Sequence, residues 1–418
     1  MQKLILKLKS LIPQRLRNFY HLLIAIGANL YYRNPSRKLF VIGVTGTDGK
    51  TSTCNLIYQI LTEAHLKTKS ITTLNSPGLH TTSNFSSKTF FQLLRQYQKE
   101  GITHVICEVT SHALDQFRYF GCHFEVGVIT NISHEHLDYH HSMTNYVLAK
   151  SRLFSQSKYK ILNADDSYFS ELKKLLKGNL STYSIKNPSD FQAKNITITP
   201  DSLSFVLNKQ LYTSDSPYKY QIYNLLAAIS LTQKLKINPD TIIASVRHFP
   251  ETKGRRETVK NNLRLNCIVD FAHTPNALYE TLTSLKNIYS HGKLICLFGA
   301  TGGRDKSKRP IMGKIVSENC DIAIVTADDT RTESVEDINQ QIISGFSPLK
   351  LKQKKFFYHN IFNRQDAFSL AVKIANPGDT IVACGKGHET SILHGKTEYP
   401  WSETEAFNSA FRAHSQNV

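Results

Sequence analysis

The chain has 418 residues, 40% of them hydrophobic and 20% charged, a balance that excludes a disordered or collagen-like polymer and leaves room for about two or three ordinary cores. Lys and Arg number 51 against 33 Asp and Glu, and the resulting formal charge of +18 favours anionic partners such as nucleotides, sugar phosphates or a membrane surface. No zinc-finger spacing or RNA-binding signature accompanies that charge, so nucleic acid is not expected, and the 7 cysteines form no CxxC pair, which points to reduced core thiols in a cytosolic protein.

Residues 1–47 contain no acid, while Lys3, Lys7, Lys9, Arg15, Arg17, Arg33, Arg37 and Lys38 punctuate an apolar background. The pattern predicts a basic helix over residues 1–30, either lying peripherally on a membrane surface or packed on the protein itself. Its longest apolar run, 22–30, is too short to span a bilayer, and no cleavage site follows it.

Residues 38–45 (KLFVIGVT) read as a buried strand, and 52–64 carry the apolar spacing of a helix. Further strands are expected at 104–108, 126–130, 267–270, 293–298, 322–326 and 380–384, most followed by a polar or glycine-bearing loop and a helical pattern. That alternation predicts parallel α/β sheets. Residues 186–220 differ, with alternating Thr, Ile, Phe and Tyr, and suggest a small antiparallel insertion. A second domain is expected to start near Lys253.

Between the first strand and helix lies VTGTDGKTST (44–53). Gly46 and Gly49 free the backbone to turn amides toward an anion together with Thr47, Asp48 and Ser52. Lys50 adds a mobile positive charge, and Thr51 is placed to hold Mg²⁺. Position 44 is valine, so this is the short GTxGKT form of a phosphate loop. Phosphate binding alone fits kinases, GTPases and ligases equally.

Seven blocks narrow the choice: GTDGKTST, EVTSHALDQFR (108–118), NISHEHLDYHHSMTNYVLAKSRLF (131–154), YNLLAA (223–228), VDFAHTPNAL (269–278), FGATGGRDKSKRP (298–310) and GKGHE (385–389). In this order they resemble the Mur ligases, and several are specific to the MurE branch. The resemblance implies an α/β protein with a central P-loop ATPase domain built on a parallel sheet (39–252), a C-terminal Rossmann-like α/β domain (253–418) and a short basic helical extension (1–38). It also implies a cytoplasmic ATP-dependent ligase that adds an amino acid to UDP-MurNAc-L-Ala-D-Glu in peptidoglycan synthesis.

Such a reaction needs ATP to phosphorylate an unreactive carboxylate before an amine attacks, and metal ions to neutralise the crowded oxygens. By the resemblance, Glu108 and His136 are metal ligands, and Lys150 is the lysine that the family carbamylates. Asn224, Arg255, Asp270 and His273 contact ATP. Thr81, Thr82, Thr110, Gln116 and Arg118 hold the muramoyl dipeptide, and Arg304, Asp328, Arg331, Gly385 and Glu389 receive the incoming amino acid. An arginine ending the four-residue motif at 328–331 goes with meso-diaminopimelate, because a guanidinium clamps its distal carboxylate.

The sequence departs from the family at that motif, which reads DDTR where DNPR is usual, leaving L-lysine as the alternative amino acid. His134 and Glu135 replace an Arg-Asp pair, and Gln221 stands where Asn is common. The first strand begins near residue 38, so the usual N-terminal UDP-binding domain is expected to be missing. A lipid-linked muramoyl acceptor, read by a MurT-like subunit at the inner face of the membrane, is therefore an alternative, as are a folylpolyglutamate-synthetase-like ligase and a silent nucleotide-binding regulator. Oligomeric state is not legible.

Overall fold

The computed structural model describes residues 13–72, 85–248 and 252–416. The chain packs as two units, one of residues 1–132 and 139–250, the other of 133–138 and 251–418.

The first unit is organised by a seven-stranded parallel sheet in the order β2-β3-β1-β4-β5-β6-β7. Its strands are β1 (Phe40–Thr45), β2 (Thr68–Ile71), β3 (His104–Glu108), β4 (Phe124–Ile129), β5 (Ser157–Asn163), β6 (Asn179–Ser184) and β7 (Phe191–Gln192). The central strands β1, β3 and β4 are buried on both faces, so they read as unbroken apolar runs; β5 begins with the polar SKYK, and β2 (TKSI) and β6 (NLSTYS) carry too little apolar signal to predict. One face is covered by the helices Lys50–Glu63, Gln221–Lys234 and Pro239–Arg247. Gln221–Lys234 is buried along almost its whole length, as its low-polarity sequence QIYNLLAAISLTQK requires. The other face packs against Ser87–Lys99 and the N-terminal helix Gln14–Tyr31.

The expected insertion is present as a three-stranded antiparallel sheet, β10-β9-β8, built from β8 (Lys194–Ile198), β9 (Leu203–Leu207) and β10 (Gln210–Ser214). The expected N-terminal helix is described over Gln14–Tyr31; its first part, residues 1–12, lies outside the described residues.

The second unit carries a six-stranded sheet, β11-β12-β16-β13-β14-β15, parallel except for the edge strand β11 (Glu257–Val259). Its parallel members are β12 (Asn266–Asp270), β13 (Leu294–Phe298), β14 (Ile322–Val325), β15 (Phe357–Asn360) and β16 (Thr380–Cys384). A hairpin of β17 (Ser391–His394) and β18 (Thr397–Pro400) follows, a device too polar to stand out in the sequence. All seven cysteines are buried and unpaired by disulfides. No described helix is long and apolar enough to cross a membrane.

Candidate functional site

In the first unit the site grows from the C-terminal ends of β1, β3 and β4. β1 runs directly into the loop 46–49, and Gly49 starts the following helix with φ 78°, a left-handed conformation that costs glycine little. The helix therefore begins at Lys50, two residues before the apolar periodicity does. A Cβ on Gly46 would run into Thr130 Oγ1, and one on Gly49 would lie 2.4 Å from Asn224 Oδ1. The loop is tied from outside its own segment: Asn131 Oδ1 accepts from the Asp48 amide at 2.9 Å, and Thr130 Oγ1 donates to Asp48 O at 2.7 Å. Thr47 Oγ1 lies 3.1 Å from the Tyr146 hydroxyl. The loop is thus held rigidly where β1 meets a helix N-terminus, the arrangement that binds phosphate.

The charged groups converge on that loop. Lys50 Nζ donates to Gly46 O and Thr47 O at 3.0 and 2.8 Å. Thr51 Oγ1 donates to Glu108 Oε2 at 2.9 Å, so a hydroxyl from the helix and a buried carboxylate from the end of β3 stand side by side. Ser52 is buried in the first turn. Lys150, on the helix Met143–Ser155, is also buried and donates to Gly46 O at 2.7 Å. Burial, with Lys50 nearby, pushes its ammonium well below the ordinary lysine range. Asn224 lies inside its helix, beneath the loop, donating to Gln221 Oε1 at 2.7 Å and accepting from Thr53 Oγ1 at 3.3 Å.

A second group lies nearer β3's continuation. Thr110 caps the short helix Ser111–Asp115, accepting from the Ala113 amide at 3.3 Å. Gln116 accepts from Arg118 Nε at 2.8 Å and donates to the Tyr139 hydroxyl at 3.2 Å, while Arg118 also donates to Phe85 O at 2.9 Å. Thr81 and Thr82 lie outside the described residues.

In the second unit Asp270 ends β12. It accepts from the backbone amides of Arg256 at 3.0 Å and Ala272 at 2.8 Å, and the guanidinium that approaches it is that of Arg256, at 3.7 Å. Arg255 instead stacks over the Phe271 ring, 5.0 Å from its centroid. His273 donates from Nδ1 to Phe271 O at 2.8 Å, which leaves Nε2 as the acceptor in the neutral ring.

The segment 133–138 holds His134, 3.0 Å from Asp305, and Glu135, which accepts from the buried Lys308 Nζ at 3.1 and 3.0 Å. His136 follows with φ 58° and Nδ1 3.8 Å from Glu135 Oε1. Arg304 lies 3.7 Å from Asp138, and Arg331, also at positive φ, has its pKa lowered by burial and by the neighbouring Arg304.

Asp328, Asp329, Gly385, Lys386 and Glu389 form one cluster. A Cβ on Gly385, whose φ is 112°, would lie 2.7 Å from Asp328 Oδ2. Burial disfavours the charged form of Asp328, but Lys386 and Arg364 outweigh it and hold its carboxyl below the usual range. Lys386 Nζ donates to Asp329 Oδ1 at 2.8 Å and also pairs with Glu389. Burial, helped by Asp328 and Asp329, pushes Glu389 up to about 7 even against Lys386.

Sequence reasoning missed Arg256, Lys308, Lys386 and Arg364. The last is wholly buried, pairs with Glu403, and donates to Ala327 O at 2.9 Å and Cys384 O at 3.0 Å, immediately before Asp328 and Gly385. No periodic signal marks any of these four; the cues available were the GKGHE block for Lys386 and the FGATGGRDKSKRP block for Lys308. Among the described residues no cluster of three or more His, Cys, Asp or Glu stands ready for a metal.

Two family models cover this geometry: the Mur ligase middle domain matches residues 44–232, and the Mur ligase glutamate ligase domain matches 254–387. The UDP-N-acetylmuramoyl-L-alanyl-D-glutamate--2,6-diaminopimelate ligase of Caldanaerobacter subterraneus is 35% identical, over 90% of this chain and 79% of that protein. The ligase of the same name from Aquifex aeolicus is likewise 35% identical, over 90% and 78%. A solved structure of a ligase so named superposes with a TM-score of 0.61 at 27% identity, over 93% of this chain and 82% of the other. With its phosphate loop, its buried lysine and both catalytic-domain matches in register, the chain belongs to the Mur ligase family.

Proposed function

We propose that the protein is a cytoplasmic ATP-dependent ligase that joins meso-diaminopimelate, ahead of L-lysine, to the D-Glu carboxylate of UDP-MurNAc-L-Ala-D-Glu. One observation carries the reading. A fully buried lysine amine, Lys150, sits 2.7 Å from the phosphate loop beside the Thr51–Glu108 pair, an expense of desolvation that simple nucleotide binding does not require. The names of the relatives supply the substrate. The proposed domains are 39–252 and 253–418, with 1–38 as an N-terminal extension that makes a peripheral membrane contact. A lipid-linked muramoyl dipeptide remains the competing form of the acceptor.

The residues fit the groups that the chemistry needs. The loop at Gly46 and Gly49 suits ATP phosphates, with Lys50 and the amides of 49–52 at the helix N-terminus as donors, the amides of Thr47 and Asp48 being bound to Asn131. Thr51 and Glu108 offer hard oxygen donors; with His136 they would hold Mg²⁺, which supplies charge neutralisation at the phosphates when bound. A lysine whose ammonium is destabilised presents a free amine pair to CO₂. Its nitrogen bonds to the carbon and one proton leaves, so Lys150 becomes a carbamate and the site gains a carboxylate.

In the reaction a carboxylate oxygen of D-Glu attacks the γ-phosphorus and ADP departs. The amine nitrogen then adds to the acyl carbon, and phosphate leaves as the amide forms and the nitrogen loses its proton. Thr110, Gln116 and Arg118, with Thr81 and Thr82, orient the dipeptide; Asn224, Arg255, Asp270 and His273 are assigned to the nucleotide. Asp328 and Glu389 attract the ammonium of the amino acid, and Arg304 with Arg331 forms a cationic pair for its distal carboxylate.

The test is phosphate release with ATP, Mg²⁺ and UDP-MurNAc-L-Ala-D-Glu, offering meso-diaminopimelate, L-lysine and other amino acids separately, with the product weighed by mass spectrometry. Release with diaminopimelate and the matching tripeptide mass is expected. Turnover with lysine alone corrects the amino acid, and no turnover with any of them overturns the UDP-linked acceptor.

A further inference from the structure

The helix Gln14–Tyr31 is inside out for a helix on a protein surface. Its protein-facing arc is small or polar: Ala25, Ala28 and Asn29 are buried, and Asn18 and Asn29 donate to Asp115 Oδ2 at 2.9 Å and Gly121 O at 3.0 Å. Gln14 is tied to the Tyr139 hydroxyl at 2.7 Å. These bonds fix the rotation of the helix. The opposite arc, at the i, i+3/i+4, i+7 spacing of one helical face, carries Leu16, Phe19, Tyr20, Leu23, Leu30 and Tyr31, each 52–79% exposed. An apolar stripe of that length, facing away from its own core, is unusual on a monomeric surface.

We propose that this stripe is a docking surface for an anionic lipid bilayer, on which the helix lies in the plane of the interface. The charges select that occupant. Arg15 and Arg17 are exposed and lie one on each flank of the stripe at 100° per residue, and there is no acid anywhere in residues 1–47. A second copy of this helix would offer those arginines no acid to pair with. Residues 1–12 add Lys3, Lys7 and Lys9, which offer the flanks no counter-charge but add to the attraction of a negative surface. Apolar side chains seated among acyl chains with arginines at headgroup level satisfy both parts of the pattern. This surface stands independently of the ligase chemistry, and its test needs no turnover.

The experiment is co-sedimentation of the full chain with vesicles of pure phosphatidylcholine and with vesicles in which about a third of the lipid is phosphatidylglycerol. Binding is expected to the second kind only, weakening as salt is raised. A Phe19→Ser/Leu23→Ser variant, unchanged in far-UV circular dichroism and in phosphate release, should partition roughly tenfold more weakly or worse. Should that variant fail to fold, a Leu16→Ser/Leu30→Ser variant at the ends of the stripe serves the same comparison. No binding to phosphatidylglycerol vesicles overturns the proposal. So does equal binding by the serine variants, which would mean that charge alone acts, or a wild-type dimer in sedimentation equilibrium that the same substitutions dissociate.

Discussion

Lys150 separates catalysis from folding more cleanly than any other side chain in the site. Its folded-state pKa is depressed by burial, so between that value and the ordinary lysine range the unfolded chain binds the extra proton, and stability rises with pH across that window. At neutral pH the buried amine is therefore a cost, and Lys150→Met should abolish ligation while leaving the thermal midpoint level or raised. Short-chain carboxylic acids should restore part of the turnover in Lys150→Ala by standing in for the proposed carbamate. A variant that keeps full activity would remove Lys150 from the mechanism. Glu389 gives the opposite sign. Its carboxyl is raised to about 7 from an ordinary 4.5, so the native state binds more protons between those values and stability falls as pH rises through them. In the role proposed for Glu389, the same ionisation attracts the ammonium of the amino acid. The KM for the amino acid should therefore fall about tenfold per pH unit on approach to pH 7 from below, and Glu389→Gln should flatten that profile. A profile unchanged in the glutamine variant would assign the titration to another group.

At the scale of elements, the loops are held by contacts that cross the sheet. Arg364 and Glu403 form a buried pair that also anchors the ends of β14 and β16 through Ala327 O and Cys384 O. Arg364→Met would strip the buried Glu403 of its partner, so that it is either buried as an unpaired charge or takes up a proton, and should destabilise by about 3–5 kcal/mol in urea unfolding, with much of the loss recovered in Arg364→Met/Glu403→Met. It should also raise the KM for the amino acid, because Asp328 and Gly385 follow the anchored carbonyls. On the other sheet, Gly49→Ala places a Cβ 2.4 Å from Asn224 Oδ1 at a φ of 78°, and should cost nucleotide affinity measurable by calorimetry, with Asn224→Ala relieving part of it. These contrasts explain what was legible. The phosphate loop was readable from its glycines and lysine between a strand and a helix, whereas Glu108 and Lys150 were singled out only by the blocks that resemble the family. The central parallel strands were readable because burial on both faces makes them apolar throughout. Arg364–Glu403 and Arg256–Asp270 were not, since partners 39 and 14 residues apart leave no local period, and Lys308 and Glu135, each inside a block that resembles the family, are 173 residues apart with nothing in either block to mark the pairing. β2 and the β17–β18 hairpin were hidden because their exposed faces are polar.

For the whole molecule, net charge makes a prediction that no single contact makes. The formal +18 surrounds a site whose proposed acceptor carries a diphosphate and carboxylates, so long-range attraction should speed encounter without altering the chemical step. Raising monovalent salt from about 50 to about 300 mM shortens the Debye length from roughly 14 to roughly 6 Å. The value of kcat/KM for the muramoyl substrate should then fall several-fold while kcat stays level. The KM for diaminopimelate, which carries no net charge near neutral pH, should move far less. That difference separates steering from a general salt effect on folding or on ATP, which would lower kcat along with kcat/KM. A salt-independent kcat/KM would mean that the lysines and arginines act only through direct contacts, and that the excess of 51 cations over 33 anions serves another surface, such as the arginine-flanked stripe of the N-terminal helix.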